Sequence, residues 1–237
     1  MPGRTFARGR TLIHSASLSQ TIDALNAAVF ERRSLAVTDR RQVAQWIASR
    51  QGLPGAYGET FAGFAAERDK GIVVFTGERI TSASARHILG EEACRALRLL
   101  SVRDRVVSAS LDRACDGLLR CLERAALDPR RTNPGLFCCG KCSVGLWRNL
   151  LSGSLNRREE RLRRGAGHLR SMRDGNGQWR RFPFWYTVLA LSEMDAREAV
   201  SELRYAAPVL QRAVGSTPHS IYARRRRELA VRALGQI

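Results

Sequence analysis

A chain of 237 residues that is 44% apolar carries enough hydrophobic side chain to bury a core, which excludes general disorder. Six cysteines are too few for a disulfide scaffold at this length, and no run approaches the roughly 18 apolar residues of a membrane span. The net charge is +18, and all but two of the 40 basic residues are arginine, the exceptions being Lys70 and Lys141. Arginine's planar fork suits phosphate and other anions. Yet arginine in place of lysine, beside abundant alanine and glycine, is also what a GC-rich genome encodes, so the charge alone names no partner.

The first residues, Met1 to Arg10, have arginines with no apolar h-region after them, which predicts a cytoplasmic protein with residues 1–16 as a flexible basic arm. Ser17 or Ser19 then caps a helix carrying Ile22, Leu25, Val29 and Phe30, and Thr38 caps the next, with Val43, Trp46 and Ile47. Ile72 to Phe75, between Gly71 and Gly77, reads as a strand with no partner. Ser82 or Ser84 opens a helix through Ile88, Leu89, Ala93 and Leu97. From Asp104 to Ala126, Val107, Leu111, Ala114, Leu118 and Leu122 form one apolar stripe. Further helices are predicted near 142–152, 155–173, 184–193, 196–213 and 218–234. The expectation is an all-α chain, residues 1–237 as a single helical domain of paired helices in a toroid-like or repeat array.

Two glycine turns echo each other. Arg50-Gln51-Gly52-Leu53-Pro54-Gly55-Ala56-Tyr57 and Arg173-Asp174-Gly175-Asn176-Gly177-Gln178-Trp179 each follow a helix and place an aromatic residue two positions after the second glycine. Glycine ends the helix in a left-handed conformation, and the aromatic ring folds back onto the helices. The second turn continues into Phe182-Pro183-Phe184-Trp185-Tyr186-Thr187 and the helix Val188 to Glu193. That stretch, about residues 165–205, resembles the repeat of the α/α-toroid superfamily, which contains squalene and terpene cyclases and protein prenyltransferase β subunits. The resemblance implies inner-barrel helices and an aromatic-lined cavity for an apolar, isoprenoid-like ligand, here Trp179, Phe184, Trp185 and Tyr186. It extends to fold more than to activity. The Asp-x-Asp-Asp motif of squalene cyclases and the Asp-x-Cys pair of prenyltransferases have no counterpart at that spacing.

The chemistry concentrates in Cys138-Cys139-Gly140-Lys141-Cys142, three thiols in one turn before an apolar helix. Cys139-x-x-Cys142 is a zinc half-site that needs remote ligands, or alternatively a redox dithiol. His87, Glu91 and Cys94 stand at i, i+4 and i+7, so at about 100° per residue they share one helix stripe and qualify as those ligands. The bland alternatives are a surface His87–Glu91 pair and a packed Cys94. Cys115 and Cys121 point apart around their helix and read as core or half-buried residues. The functional expectation is a cysteine-rich zinc site made by Cys138, Cys139 and Cys142 with His87, Glu91 and Cys94, acting on a small apolar or anionic ligand. An arginine-rich nucleic-acid-binding repeat and a scaffold without chemistry stand as its rivals.

Overall fold

The computed structural model describes residues 12–129, 132–153 and 155–237. Among them the chain forms ten α-helices and one hairpin of two-residue strands, in agreement with the all-α expectation. Helices α1 (Leu18–Phe30), α2 (Val37–Ala48) and the short α3 (Ala65–Lys70) lead to β1 (Ile72–Val73) and β2 (Arg79–Ile80). Then follow α4 (Ala83–Leu100), α5 (Arg105–Ala126), α6 (Gly140–Leu151), α7 (Arg158–Met172), α8 (Phe184–Ser192), α9 (Arg197–Gly215) and α10 (Ile221–Leu234). No described helix is long and apolar enough to cross a membrane.

Side-chain caps open three of the ten described helices, α1, α5 and α10. The Ser17 hydroxyl accepts from the Gln20 amide at 3.1 Å and opens α1. Asp104 accepts from the amides of Val106 and Val107 at 2.9 and 3.1 Å and opens α5. One expectation fails. Helix α2 starts one residue before Thr38, at Val37, with Ala36 at the cap position and no side-chain bond. Ser82 stands at the cap position of α4, as expected, at φ +61° and ψ −156°, and its hydroxyl makes no capping bond. Of the expected basic arm, residues 1–11 lie outside the described residues. Residues 12–16 are not loose: Leu12 and Ile13 pack on the core, and the His14 amide donates to Thr21 Oγ1 at 2.9 Å.

The strand at Ile72 does have a partner. Ile72 pairs antiparallel with Ile80 and Val73 with Arg79, closed by Gly77 at φ +88°. Two residues are too few to display an alternating pattern, so the sequence hid β2. Both glycine turns close with an antiparallel bridge, Gln51 to Phe61 in the first and Arg173 to Trp179 in the second. The loops differ in length, so Phe61, not Tyr57, is the bridged aromatic of the first turn. Tyr57 is thereby left to lean elsewhere.

Helix α4 is the hub. It packs against α1, α2, α3, α5 and α6, and every residue from His87 to Leu97 is buried. Around α9 gather α7, α8 and α10, with α6 in contact with α4, α7 and α8. One continuous apolar cluster runs from Leu18 to Ala233. Over that stretch α4 has no solvent face, so an unpaired polar group there is costly, and the stretch carries His87, Glu91, Glu92 and Arg95.

Candidate metal centre

The α4–α6 packing brings the N-terminal parts of both helices together. His87 is the fifth residue of α4, on its second turn, Cys139 occupies the cap position of α6, and Cys142 lies on the first turn of α6. The Cys142 sulfur is 3.3 Å from His87 Nδ1 and 3.6 Å from the Cys139 sulfur. Ligand atoms of His87, Cys138 and Cys142 all fall within 4.8 Å of one another, so these three residues can share a metal ion. Cys142 is fully buried, whereas Cys138 and Cys139 are exposed.

The turn is held from behind. Trp147 Nε1 donates to the Gly135 carbonyl at 2.6 Å. The Phe137 amide donates to Ser143 Oγ at 2.9 Å, and that hydroxyl donates to the Cys139 carbonyl at 2.8 Å. Gly135 must be glycine, since a Cβ there would stand 2.3 Å from the Arg161 carbonyl and the Gly165 amide nitrogen. The backbone of the turn is therefore pressed onto α7.

Electrostatics divide the thiols. Hydrogen bonding from Cys142 pulls the Cys139 thiol down to about 4 against the opposing effect of burial, with help from Ser84 and from the first-turn amides of Cys142 and Lys141. The same contact with Cys139, followed by burial, pushes the Cys142 thiol up. Burial lowers His87 against the opposing pull of Cys139, and Arg86 adds to the lowering, which favours the neutral imidazole, the form that binds metals. Rings enclose it. The Tyr57 ring centroid is 3.8 Å away and that of Phe137 is 5.4 Å away.

The rest of the expected ligand stripe does not converge. Because α4 is buried all round, its one stripe is shared between two neighbouring helices. Glu91 turns to α6 and accepts from Asn149 Nδ2 at 2.6 Å, while Cys94 pairs with Cys115 of α5. Burial pushes Glu91 up to about 8, only partly offset by Asn149, so it carries a proton at neutral pH and is no ready carboxylate ligand. The folded state keeps this proton up to about pH 8, whereas the unfolded chain loses it above its ordinary value of 4.5. Stability contributed by the neutral carboxyl is thus lost as pH rises through that window. Glu91→Gln, which has no charge to desolvate, is expected to match the parent at pH 5. At pH 9 it should exceed the parent by about 2–4 kcal/mol. Urea unfolding at the two pH values checks this, and an equal difference at both would refute it.

The aromatic residues expected to line a ligand cavity are committed to other partners. Tyr186 is fully buried, and its hydroxyl donates to Glu92 at 2.6 Å. Trp179 Nε1 donates to Glu202 at 2.8 Å, and its ring stacks on Phe184 at 5.7 Å, with Trp185 edge-on to Phe184 at 5.0 Å. Trp179 ties the start of α8 to α9, and Tyr186 ties α8 to α4. The cleft beside the cysteine turn, about 530 Å³, is lined instead by Tyr57, His87, Phe137, Cys138, Cys121 and Arg120, among others. Its far wall is α5, where a Cβ at Gly117 would stand 1.8 Å from the Gly58 carbonyl oxygen. That close approach seats Tyr57 over His87. Sequence reasoning missed Tyr57 and Cys121 here; a small residue in the midst of the α5 stripe was the one available signal.

No family model, no curated protein and no solved structure matches this chain, so its own geometry carries the functional reading.

Proposed function

We propose that His87, Cys138 and Cys142 bind zinc at the floor of the cleft, with the fourth position open to a small ligand or water. The observation that carries this reading is the gathering of one imidazole and two thiol groups within 4.8 Å, two of them lining the cleft. Bond lengths near 2.0 to 2.3 Å place the ligand atoms of a tetrahedral zinc roughly 3.5 to 3.8 Å apart, so the 3.3 Å between Cys142 and His87 is already close to what the ion needs. Three protein ligands and an open position are the arrangement in which zinc polarises a bound water or carbonyl. The apolar ligand implied by the toroid resemblance has no residue of its own in this reading, because Trp179 and Tyr186 are committed to Glu202 and Glu92.

Zinc titration of the reduced protein, with elemental analysis of the dialysed product, is expected to give about one zinc per chain. His87→Ala and Cys142→Ser should each lose it, and Cys94→Ala should keep it. Affinity should also fall between pH 7.5 and pH 5, as protons compete for the thiols and the imidazole. A stoichiometry that Cys142→Ser leaves unchanged would sink the assignment.

A further inference from the structure

The cysteine turn contains a contact that the zinc set does not use. Cys139 is exposed, lies outside the three-residue ligand group, and stands 3.6 Å from the sulfur of buried Cys142 across a C-x-x-C spacing at the start of a 12-residue helix. Ser84 Oγ is 3.5 Å from the Cys139 sulfur, and His87 Nδ1 is 3.3 Å from that of Cys142. An accessible thiol with a buried partner behind it and a base beside the partner is the layout that two-step disulfide exchange requires.

We propose that Cys139 and Cys142 form a dithiol that exchanges with small disulfides of the glutathione class, Cys139 attacking and Cys142 resolving. In the first step the Cys139 thiolate bonds to one sulfur of the disulfide, the S–S bond of the reagent breaks, and one glutathione thiolate departs. In the second, the sulfur of Cys142 bonds to that of Cys139 as its proton passes to His87 Nδ1, and the S–S bond between Cys139 and glutathione breaks. The second glutathione leaves as a thiolate and takes up that proton, while the first takes from water the proton that Cys139 had released. Two protein thiols are oxidised to one disulfide, and one glutathione disulfide is reduced to two thiols. Cys142 serves both the dithiol and the zinc set, so disulfide and metal exclude each other. Only that exclusion rests on the zinc reading.

The experiment treats reduced, metal-free protein with oxidised glutathione and maps the products by peptide mass spectrometry. The parent should yield a Cys139–Cys142 disulfide. Cys142→Ser should stop at a glutathione adduct on Cys139, and Cys139→Ser, a change at an exposed position, should lose both products while still binding zinc. In His87→Ala the adduct should persist longer before resolving. A disulfide that involves Cys138 instead, or a Cys139→Ser variant that reacts like the parent, overturns the proposal. Saturating zinc should suppress the exchange. If zinc is not taken up and exchange proceeds, the zinc reading falls and the dithiol stands. If zinc is taken up and no disulfide forms without it, the dithiol falls and the zinc site stands.

Discussion

Trp147→Ala is expected to destabilise the protein by about 3–5 kcal/mol, the range for removing a fully buried tryptophan. Trp147 has no exposed surface, and its ring stacks on Phe182 at 5.8 Å and 17°. The Gly165 backbone lies directly beneath the indole, where a Cβ would come within 2.3 Å of Nε1. Removing the indole leaves a cavity against that backbone, and the cavity sets the size of the loss. The loss reaches the candidate site as well. The indole N–H holds the Gly135 carbonyl, three residues before Cys138, so its removal frees the segment that carries the thiols. Zinc affinity should fall in the alanine variant even at temperatures where it is folded. Trp147→Phe keeps an aromatic ring but loses the N–H and part of the buried indole, and a smaller loss, about 1–3 kcal/mol, is expected. Urea unfolding and zinc titration of both variants check this. Equal zinc affinity in the parent and the alanine variant would break the link between the indole and the cysteine turn.

Arg148→Met should be about as damaging, roughly 3–5 kcal/mol, for an electrostatic reason. Arg148 is buried between two carboxylates. It forms an ion pair with Glu92 and another with Glu193 at 3.2 Å. Glu92 also accepts from the Tyr186 hydroxyl at 2.6 Å and from Asn26 Nδ2 at 3.2 Å, while Arg95 bonds Glu193 at 2.9 Å. Burial opposes the charge on Arg148, but Glu193 and Glu92 outweigh it and raise its proton affinity above that of a free arginine. Likewise burial acts to raise Glu193, and Arg148 and Arg95 outweigh it and hold that carboxyl below its ordinary range. Removing the guanidinium leaves the Glu92 charge buried with only neutral donors, which is the costly half of breaking a buried pair. Adding Glu92→Gln to the methionine variant should therefore recover part of the loss, a coupling of about 0.5–3 kcal/mol in a double-mutant cycle. Strictly additive losses would show that the two groups do not act as a pair.

Much of the helical framework was legible because its causes are local. Ser17 and Asp104 cap α1 and α5 through amides two and three residues away, and the Val107-to-Leu122 stripe marks the buried face of α5. The cysteine turn reads from five adjacent residues, and α6 begins inside it, at Gly140. The missing cap at Thr38 and the unseen partner of Ile72 mark where local preference is weak. A one-residue difference at a helix start costs little, and a two-residue strand has no period to detect.

The candidate site was legible only in part. His87 shares a stripe with Glu91 and Cys94, but the stripe gathers no ligand set: α4 is enclosed by five elements, so the stripe faces α6 at Glu91 and α5 at Cys94. The contact that does form, His87 with Cys142, spans 55 residues, and nothing in the intervening sequence encodes it. Tyr57 reaches His87 only because Gly117 lets the Gly58 carbonyl approach α5. The Glu92–Arg148–Glu193 network joins three helix segments that show no mutual pattern along the chain. By itself the sequence determined the all-α class, most helix limits and the thiol-bearing turn, since periodicity, capping and short spacing act within a few residues. Tertiary structure alone decided which thiols meet the imidazole, which carboxyl stays protonated and which charges are buried together, because those outcomes depend on which helices exclude water from one another.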